Sequence, residues 1–428
     1  MKSRWSRVIA ILLVLTLIAA ACGDDDDDTS ASDGDGTASD DGAGDGSSDD
    51  SAAPSDGEDP VEYSQGASDD TIKIGSSLPI TGPAAGTGTA MREALEAFVS
   101  NLNAQGGVNG RSVEISIYDD GLEPARVQAN FRRLGDQDNV FSVISPAGSA
   151  QIPSAYPFIE ESGLPLFGPV LPPDPDMQQV YIIGTGRSDQ ARVMSDFLLE
   201  QGAVTVGLIG QNNDLGQSML AGLEEQLPKN GQELVITELS LDAETNEVEG
   251  ALNNVRDANP DAVVMATNQV QAALILREAT SQGWEPIFIG DTSSASTGAM
   301  DTVEPAGDAA VGLYGTTNRS FTTLDSDAVA DYRAVMEEYA PGSVDDGFAL
   351  YAYAIADVFF EVIERMGDDL TWENFHATAE AMSGYENGLL PAVTFGPLPG
   401  GHSGNTGAAV AMWDGTDWVI VREFTDPS

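Results

Sequence analysis

Apolar positions along the chain follow two alternating patterns, short β-rich runs and longer stretches with helical spacing. Residues 71–75 form the first strand-like run, and Leu95, Phe98 and Leu102 then mark one face of a helix that ends near Gly106. The same unit repeats along most of the chain. Strands that alternate with helices in this way indicate βαβ units and mainly parallel sheets.

Two series of such units are predicted, followed by a helical region and a terminal hairpin. The strands are expected at 71–75, 113–117, 140–144, 164–167 and 181–183, and then at 204–209, 234–236, 261–265 and 286–289. The strongest late helix carries Tyr351, Ile355, Val358, Phe359 and Val362, and a hairpin is expected over 408–421. The 358 residues from position 71 onward are enough for two α/β lobes. Ligands of open parallel sheets bind beyond the carboxyl ends of the strands, which predicts a cleft between the lobes.

The first 22 residues have a different pattern, that of an export signal. Lys2, Arg4 and Arg7 precede an apolar run over 8–17, and small residues then lead to Cys22, the single cysteine of the chain. The apolar run is too short for a spanning helix. Residues 1–21 are therefore predicted to be a lipoprotein signal peptide and Cys22 the lipidation site, although Ala19 stands where lipoprotein signals more often carry Leu. An ordinary secreted protein is the alternative.

Residues 22–70 are predicted to be a disordered acidic tether. Residues 23–70 contain 18 acidic residues and no Lys or Arg, and almost no large apolar side chains that could offset the entropy of ordering. A calcium site at 24–28 is conceivable, but a spacer is favoured because a flexible run lacks an arranged oxygen cage.

Charge and cysteine content narrow the possible partners of the folded body. Of the 69 acidic and 18 basic residues, 51 and 15 remain in residues 71–428, a net charge of −36. Such a body repels phosphate backbones, so no nucleic acid is expected as a partner. With Cys22 lipidated the body contains no thiol, which excludes disulfides.

Several ordered motifs resemble the leucine/isoleucine/valine-binding proteins, solute-binding subunits of ABC importers. The matching segments are 71–83, the loop 103–111, the strand end 118–120, and the short motifs at 143–146, 163–166, 214–217 and 395–397. The resemblance implies a type I periplasmic binding fold, in which two lobes are joined by three hinge crossings. It also implies a monomer that captures a small-molecule solute, works with an ABC permease, is anchored to the cell membrane from outside through its lipid, and is not an enzyme.

The resemblance also places the lobe boundaries. The crossings would lie near 184–187, near 316–319 and near 389–391. Lobe 1 would then comprise 71–185 with 318–388, and lobe 2 would comprise 186–317 with 389–428.

Candidate ligand contacts come from the positions that match the family's pocket. Ser149, after Gly148 at the end of the third strand, matches a ligand-contacting Ser; a plain helix cap is the alternative. Across the cleft, Thr292 stands where amino-acid binders carry an acidic residue, and Asp291 is one position early. The remaining positions matched to the pocket are Val170, Leu171, Thr87, Leu215 and Asn268.

The usual clamp on both ends of a free amino acid is therefore incomplete in this sequence. Pro172 stands where amino-acid binders place a Thr, and proline offers no donor. An amide, a urea-like compound, a small organic acid or an apolar metabolite remains an alternative to a branched-chain amino acid.

Other chemistry receives little support from the residues. Asp119 and Asp120 leave a strand on opposite faces, which favours a turn over a catalytic pair. Neither His376 nor His402 has a second ligand at metal spacing, so no metal or cofactor is predicted. A hydrolase would rest only on His402 and Ser403. A ligand-sensing envelope lipoprotein with the same fold is the main alternative to transport.

Overall fold

A computed structural model describes residues 62–170, 176–242, 245–295 and 302–428 of the protein. The predicted signal peptide, Cys22, most of the tether and Leu171 lie outside these ranges. The helices are α1 (Ala85–Ala104), α2 (Pro124–Asp136), α3 (Tyr156–Ser162), α4 (Arg187–Glu200), α5 (Asp214–Lys229), α6 (Glu249–Ala258), α7 (Gln269–Ser281), α8 (Val303–Ala306), α9 (Asp327–Tyr339), α10 (Gly347–Met366) and α11 (Trp372–Glu380). The strands are β1 (Thr71–Leu78), β2 (Ser112–Asp119), β3 (Ser142–Ile144), β4 (Leu166–Phe167), β5 (Val180–Tyr181), β6 (Thr205–Gln211), β7 (Glu233–Leu241), β8 (Ala262–Ala266), β9 (Ile287–Gly290), β10 (Tyr314–Thr317), β11 (Ala408–Trp413) and β12 (Trp418–Thr425).

These strands form two sheets, and the predicted α/β fold with mainly parallel sheets is confirmed. Sheet 1 has the order β2-β1-β3-β4-β5 and is parallel throughout. Sheet 2 has the order β12-β11-β10-β9-β8-β6-β7. Only β11, which is antiparallel to both of its neighbours, interrupts the parallel pairing of sheet 2. The terminal hairpin predicted from the sequence supplies these two added strands.

Each sheet has its own hydrophobic core. In lobe 1, the half of the described chain built on sheet 1, α10 packs beside α1 and buries an almost continuous apolar face that includes Tyr351, Ile355 and Phe359. In lobe 2, built on sheet 2, Val263, Met265 and neighbouring residues of β8 are buried from both sides of the sheet. Burial on both faces is what the uninterrupted apolar runs of the parallel strands require.

The first of the three connections between the lobes is hydrogen-bonded to the third, which lies at residues 405–407. The first connection follows β5, and there the Gly184 N–H donates to Asn405 Oδ1 at 3.0 Å, while the Thr185 hydroxyl donates to the Gly407 carbonyl. The second follows β10 and leads through Asn318 back to lobe 1. Hydrogen bonds between the first and third crossings thus tie these two segments to each other.

The third connection lies later in the chain than the expected position, Leu389–Pro391. Leu389 and Phe395 are buried in the lobe 1 core, where the Phe395 ring lies 5.8 Å from that of Phe167. Ser403 then pairs with the chain just beyond β5. The crossing therefore falls at residues 405–407, because the apolar side chains before it are held by lobe 1.

Among the described residues, no helix has both the length and the apolar character needed to cross a membrane.

Candidate ligand-binding cleft

The carboxyl edge of sheet 1 brings several of the predicted contacts together. The Ala147 N–H donates to the Ser77 carbonyl at 3.3 Å, and Ala147 also pairs with Val170, so the ends of β1, β3 and β4 lie side by side. The loop after β3 then presents Gly148 and the exposed Ser149. Ser149 and Val170 therefore stand on the same edge of sheet 1.

The loop at Gly148 needs glycine, and it leaves Ser149 free of a capping role. Gly148 has a φ of 122°, and a Cβ there would lie 3.0 Å from Gln151 Oε1 and 3.2 Å from Leu122 Cδ2. The 3-10 helix that follows begins only at Ile152 and has no side-chain cap. The simple capping alternative for Ser149 is thus not what the structure shows.

Thr87 also lies at the carboxyl edge of sheet 1. It is half-buried in the first turn of α1, next to Gly88. A Cβ on Gly88 would come within 2.2 Å of the Pro79 carbonyl, so this turn packs directly on the end of β1. Thr87 is thereby held beside the strand ends.

The carboxyl edge of sheet 2 carries Asn268, Leu215 and their polar neighbours. Asn268 Oδ1 accepts from the Gln271 N–H at 2.9 Å and caps α7, while Leu215 is partly buried in the first turn of α5. Gln211 Nε2 donates to Gln271 Oε1 at 2.7 Å, and Asn213 Nδ2 donates to Gln211 Oε1 at 2.8 Å. These side-chain amides bind one another and cap helices, which leaves them few hydrogen bonds for a ligand.

Asp291 lies at the end of β9, fully buried. Its Oδ1 accepts from the backbone N–H groups of Ser293 and Ser294, each at 3.1 Å, and from the Ser294 hydroxyl at 2.7 Å. Its Oδ2 has no hydrogen bond and lies 3.6 Å from Nε of Arg187, the first residue of α4. A ligand ammonium would have to compete with Arg187 for this carboxylate.

A cavity of about 350 Å³ lies between residues of the two lobes. We call it the aromatic cavity because its lining includes Phe321 and Phe348 from lobe 1 and Trp413 and Trp418 from lobe 2. Of the predicted contacts that the structure describes, only Thr292 lines it. Its lining combines these aromatic side chains with hydroxyl and charged groups, and a concave space of this kind can hold a small molecule.

Arg319 is the basic residue of the aromatic cavity, directly after the second crossing. Its guanidinium carbon lies 4.7 Å from the centre of the Phe348 ring and 5.6 Å from that of Tyr351. Burial lowers the pKa of Arg319, and the nearby Tyr351 and Asp346 oppose this shift. An arginine nevertheless stays protonated in proteins, so the cavity contains a fixed positive charge.

The sequence analysis missed Arg319 and the four aromatic side chains of the cavity. These residues come from the segment after the second crossing, from the first turn of α10 and from the terminal hairpin, which are far apart in the chain. One feature of the sequence could have indicated Arg319. Basic residues are scarce in residues 71–428, so an arginine next to a predicted hinge is conspicuous.

Comparisons with known proteins agree with this architecture. The profile of the family described as "Periplasmic binding protein" matches residues 71–417. The chain is 25% identical over 315 residues to the "Leucine-, isoleucine-, valine-, threonine-, and alanine-binding protein" of Pseudomonas aeruginosa, covering 72% of this chain and 81% of that protein.

Two solved structures share the fold at low sequence identity. A branched-chain amino acid ABC transporter protein from Thermus thermophilus with bound valine has a TM-score of 0.67 at 19% identity, covering 83% of this chain and 96% of that one. A fatty acid ABC transporter substrate-binding protein from Thermomonospora curvata also has a TM-score of 0.67, at 20% identity, covering 86% of this chain and 95% of that one.

Proposed function

Since this chain belongs to the periplasmic binding protein family, we propose that it is the lipid-anchored solute receptor of an ABC importer. Its matches are transport-system binding proteins rather than enzymes, and the chemistry is binding alone. The solute would enter between the lobes, lose its water and be held by both of them. The receptor would then present its closed form to a permease.

The observation that carries this proposal is the aromatic cavity, whose walls come from both lobes. Lobe 2 contributes Thr292 and Trp418 to the cavity, and lobe 1 contributes Arg319 and Phe348. The two lobes are joined by narrow crossings. Contacts made to both lobes are stronger in the closed form, and this difference in affinity drives closure. To shift the ratio of closed to open protein from 1:99 to 99:1, the solute must bind the closed form more strongly by about 5.5 kcal/mol.

For the solute we propose a branched-chain amino acid or a related amide, urea-like compound or organic acid. The names of its relatives span amino acids and a fatty acid. The ion pair of Asp291 with Arg187 weakens the argument for an ammonium group, whereas Arg319 supports an acidic one.

For the location we propose an extracytoplasmic monomer attached through a lipid on Cys22. Residues 1–21 carry the export pattern, and the acidic residues that follow Cys22 favour an extended spacer. Labelled fatty acid should be incorporated into the full-length protein in cells and not into Cys22→Ser. Equal labelling of both proteins would refute the anchor.

The experiment for transport starts from the purified protein. Native mass spectrometry and a thermal-shift screen with leucine, valine, urea, amides and organic acids should identify the solute. Vesicles that contain the cognate permease should then accumulate that solute only when the receptor is present. Tight binding without any delivery would favour the sensing alternative.

A further inference from the structure

Resting on the proposed function, we propose that the solute is an aromatic or otherwise apolar monocarboxylate whose carboxylate binds Arg319 in the aromatic cavity. The inference starts from the distribution of positive charge. Among the described residues, the basic side chains that have no carboxylate within 4 Å are Lys73, Arg132, Arg133, Arg277 and Arg319. All of them except Arg319 are exposed.

The guanidinium of Arg319 is positioned but its hydrogen-bonding capacity is little used. The guanidinium lies against the rings of Phe348 and Tyr351. Among the described residues it makes one hydrogen bond, from Nη1 to Asn318 Oδ1 at 3.5 Å, the outer limit for such a bond. Five N–H donors in a planar fork match the two oxygens of a carboxylate. Most of that fork remains available.

Gly347 keeps one edge of the guanidinium open. A Cβ at this first residue of α10 would lie 3.5 Å from Nε of Arg319 and 3.7 Å from Nη2. Any side chain there would cover the edge that forms paired hydrogen bonds. Glycine therefore leaves room for two oxygens to approach Nε and Nη2 together.

The acidic residues of the cavity lining that the structure describes form no ion pair with Arg319 within 4 Å, and Asp346 acts on it only at longer range. Asp345 binds Arg333 at 2.7 Å, and Asp346 Oδ1 caps α10 through the N–H groups of Phe348 and Ala349. Asp417 is exposed in the hairpin turn. Within the cavity, the positive charge of Arg319 thus lacks the ion-pair partner that a partly buried charge normally has.

The walls favour an apolar body on the acid. The Trp413 and Trp418 rings lie 5.9 Å apart, and Phe321 and Phe348 complete the aromatic lining. The indole N–H of Trp418 is buried and has no hydrogen-bond partner in the described part of the chain. Aromatic side chains beside one cation favour a solute that has one carboxylate and whose other atoms form a flat or aliphatic group.

The test compares three matched compounds by calorimetric titration of the full-length protein. 3-Phenylpropanoate has the carboxylate, 3-phenylpropanamide lacks the charge, and phenylalanine adds an ammonium. We expect the acid to bind at least tenfold more tightly than the amide and more tightly than phenylalanine, because a hydrogen-bonded charge contributes well over a factor of ten. Failure of the acid to bind at millimolar concentration would overturn the inference.

Variants assign the effect to Arg319. Arg319→Gln should weaken binding of 3-phenylpropanoate tenfold or more, while Arg277→Gln, with the same change in charge on an exposed side chain, should leave it unchanged. Gly347→Ala should also weaken binding, and Gly250→Ala in the first turn of α6, where a Cβ meets nothing within 4 Å, should not.

The outcomes separate this inference from the proposed function. If leucine is bound and delivered and Arg319→Gln has no effect on either, the carboxylate assignment is contradicted and the importer role is supported. Tight binding of 3-phenylpropanoate through Arg319, without delivery by any permease, would retain the site and reject the importer role. Circular dichroism and the melting temperature of each variant show whether it is folded.

Discussion

Asp291 and Arg187 form an ion pair inside lobe 2, with 3.6 Å between Oδ2 and Nε. The carboxylate is fully buried, whereas about a third of the Arg187 side chain is exposed. The pair engages the carboxylate that stands one position before the place where amino-acid binders carry an acidic residue. It also links the end of β9 to the start of α4, directly after the first crossing.

This difference in burial predicts unequal costs for removing the two partners. Arg187→Gln leaves a buried carboxylate without its cation and should destabilise the protein by about 3 kcal/mol. Asp291→Asn leaves an arginine whose side chain is about a third exposed, although its Nε is buried, and it keeps an oxygen for Ser294, so the cost should be about 1 kcal/mol. Urea unfolding of both variants measures the two losses in unfolding free energy and shows which is larger. A larger loss for Asp291→Asn would contradict it.

The first crossing predicts a steric effect at Gly184. Its φ is 147°, and a Cβ there would lie 2.6 Å from the hydroxyl of Tyr351, which donates to the Ile183 carbonyl. Gly202 has a φ of 83° and nothing within 4 Å of its Cβ position. Both Ala variants place a side chain at a positive φ, but only Gly184 combines the more extreme φ with a steric clash, so Gly184→Ala should be less stable than Gly202→Ala by about 1 kcal/mol or more.

A double variant checks the cause of that difference. Gly184→Ala combined with Tyr351→Phe removes the clashing oxygen, and it should be less destabilised than the sum of the single variants. Strict additivity in thermal or urea unfolding would show that the hydroxyl is not the obstacle.

The only two histidines of the chain predict a pH dependence of stability in lobe 1. His376 Nδ1 lies 2.9 Å from the Tyr181 hydroxyl, and Tyr181 also stacks on His402, which contacts Glu380. Burial, aided by His402 and opposed by Glu380, lowers the pKa of His376 to about 4. The unfolded chain, with a His pKa of about 6.5, therefore binds a proton more readily than the folded protein between these values.

Stability should accordingly fall as the pH is lowered from 6.5 toward 4, because protons favour the unfolded chain. The difference in unfolding free energy between wild type and His376→Gln isolates this residue from the many carboxylates. That difference should change across this pH window and stay constant above it. A constant difference from pH 7 to pH 4 would rule out a buried neutral His376.

Much of the fold could be predicted from local patterns, but the third crossing could not. The β-rich runs and helical faces reflect burial within one element, so they placed most strands, including the terminal hairpin. Leu389 and Phe395 are also apolar, yet which lobe buries them is decided by contact with Phe167, more than 200 positions earlier. Sequence pattern contains no such information.

The same reason explains which of the predicted site residues the structure brings together. Thr87, Ser149 and Val170 follow strands whose ends meet in any parallel sheet, so their shared edge was predictable. The pairing of Asp291 with Arg187 and the approach of Arg319 to Phe348 depend on tertiary contacts. These two contacts are what change the expected ligand.

The most direct test of the account is the distance between the two lobes with and without solute. In full-length Cys22→Ser protein, spin labels at Gln128→Cys in α2 and Glu224→Cys in α5 occupy exposed sites on lobe 1 and lobe 2. Pulsed electron resonance should show a shift to a shorter, narrower distance distribution when the compound identified by thermal shift is added. An unchanged distribution at saturating compound would contradict capture by closure.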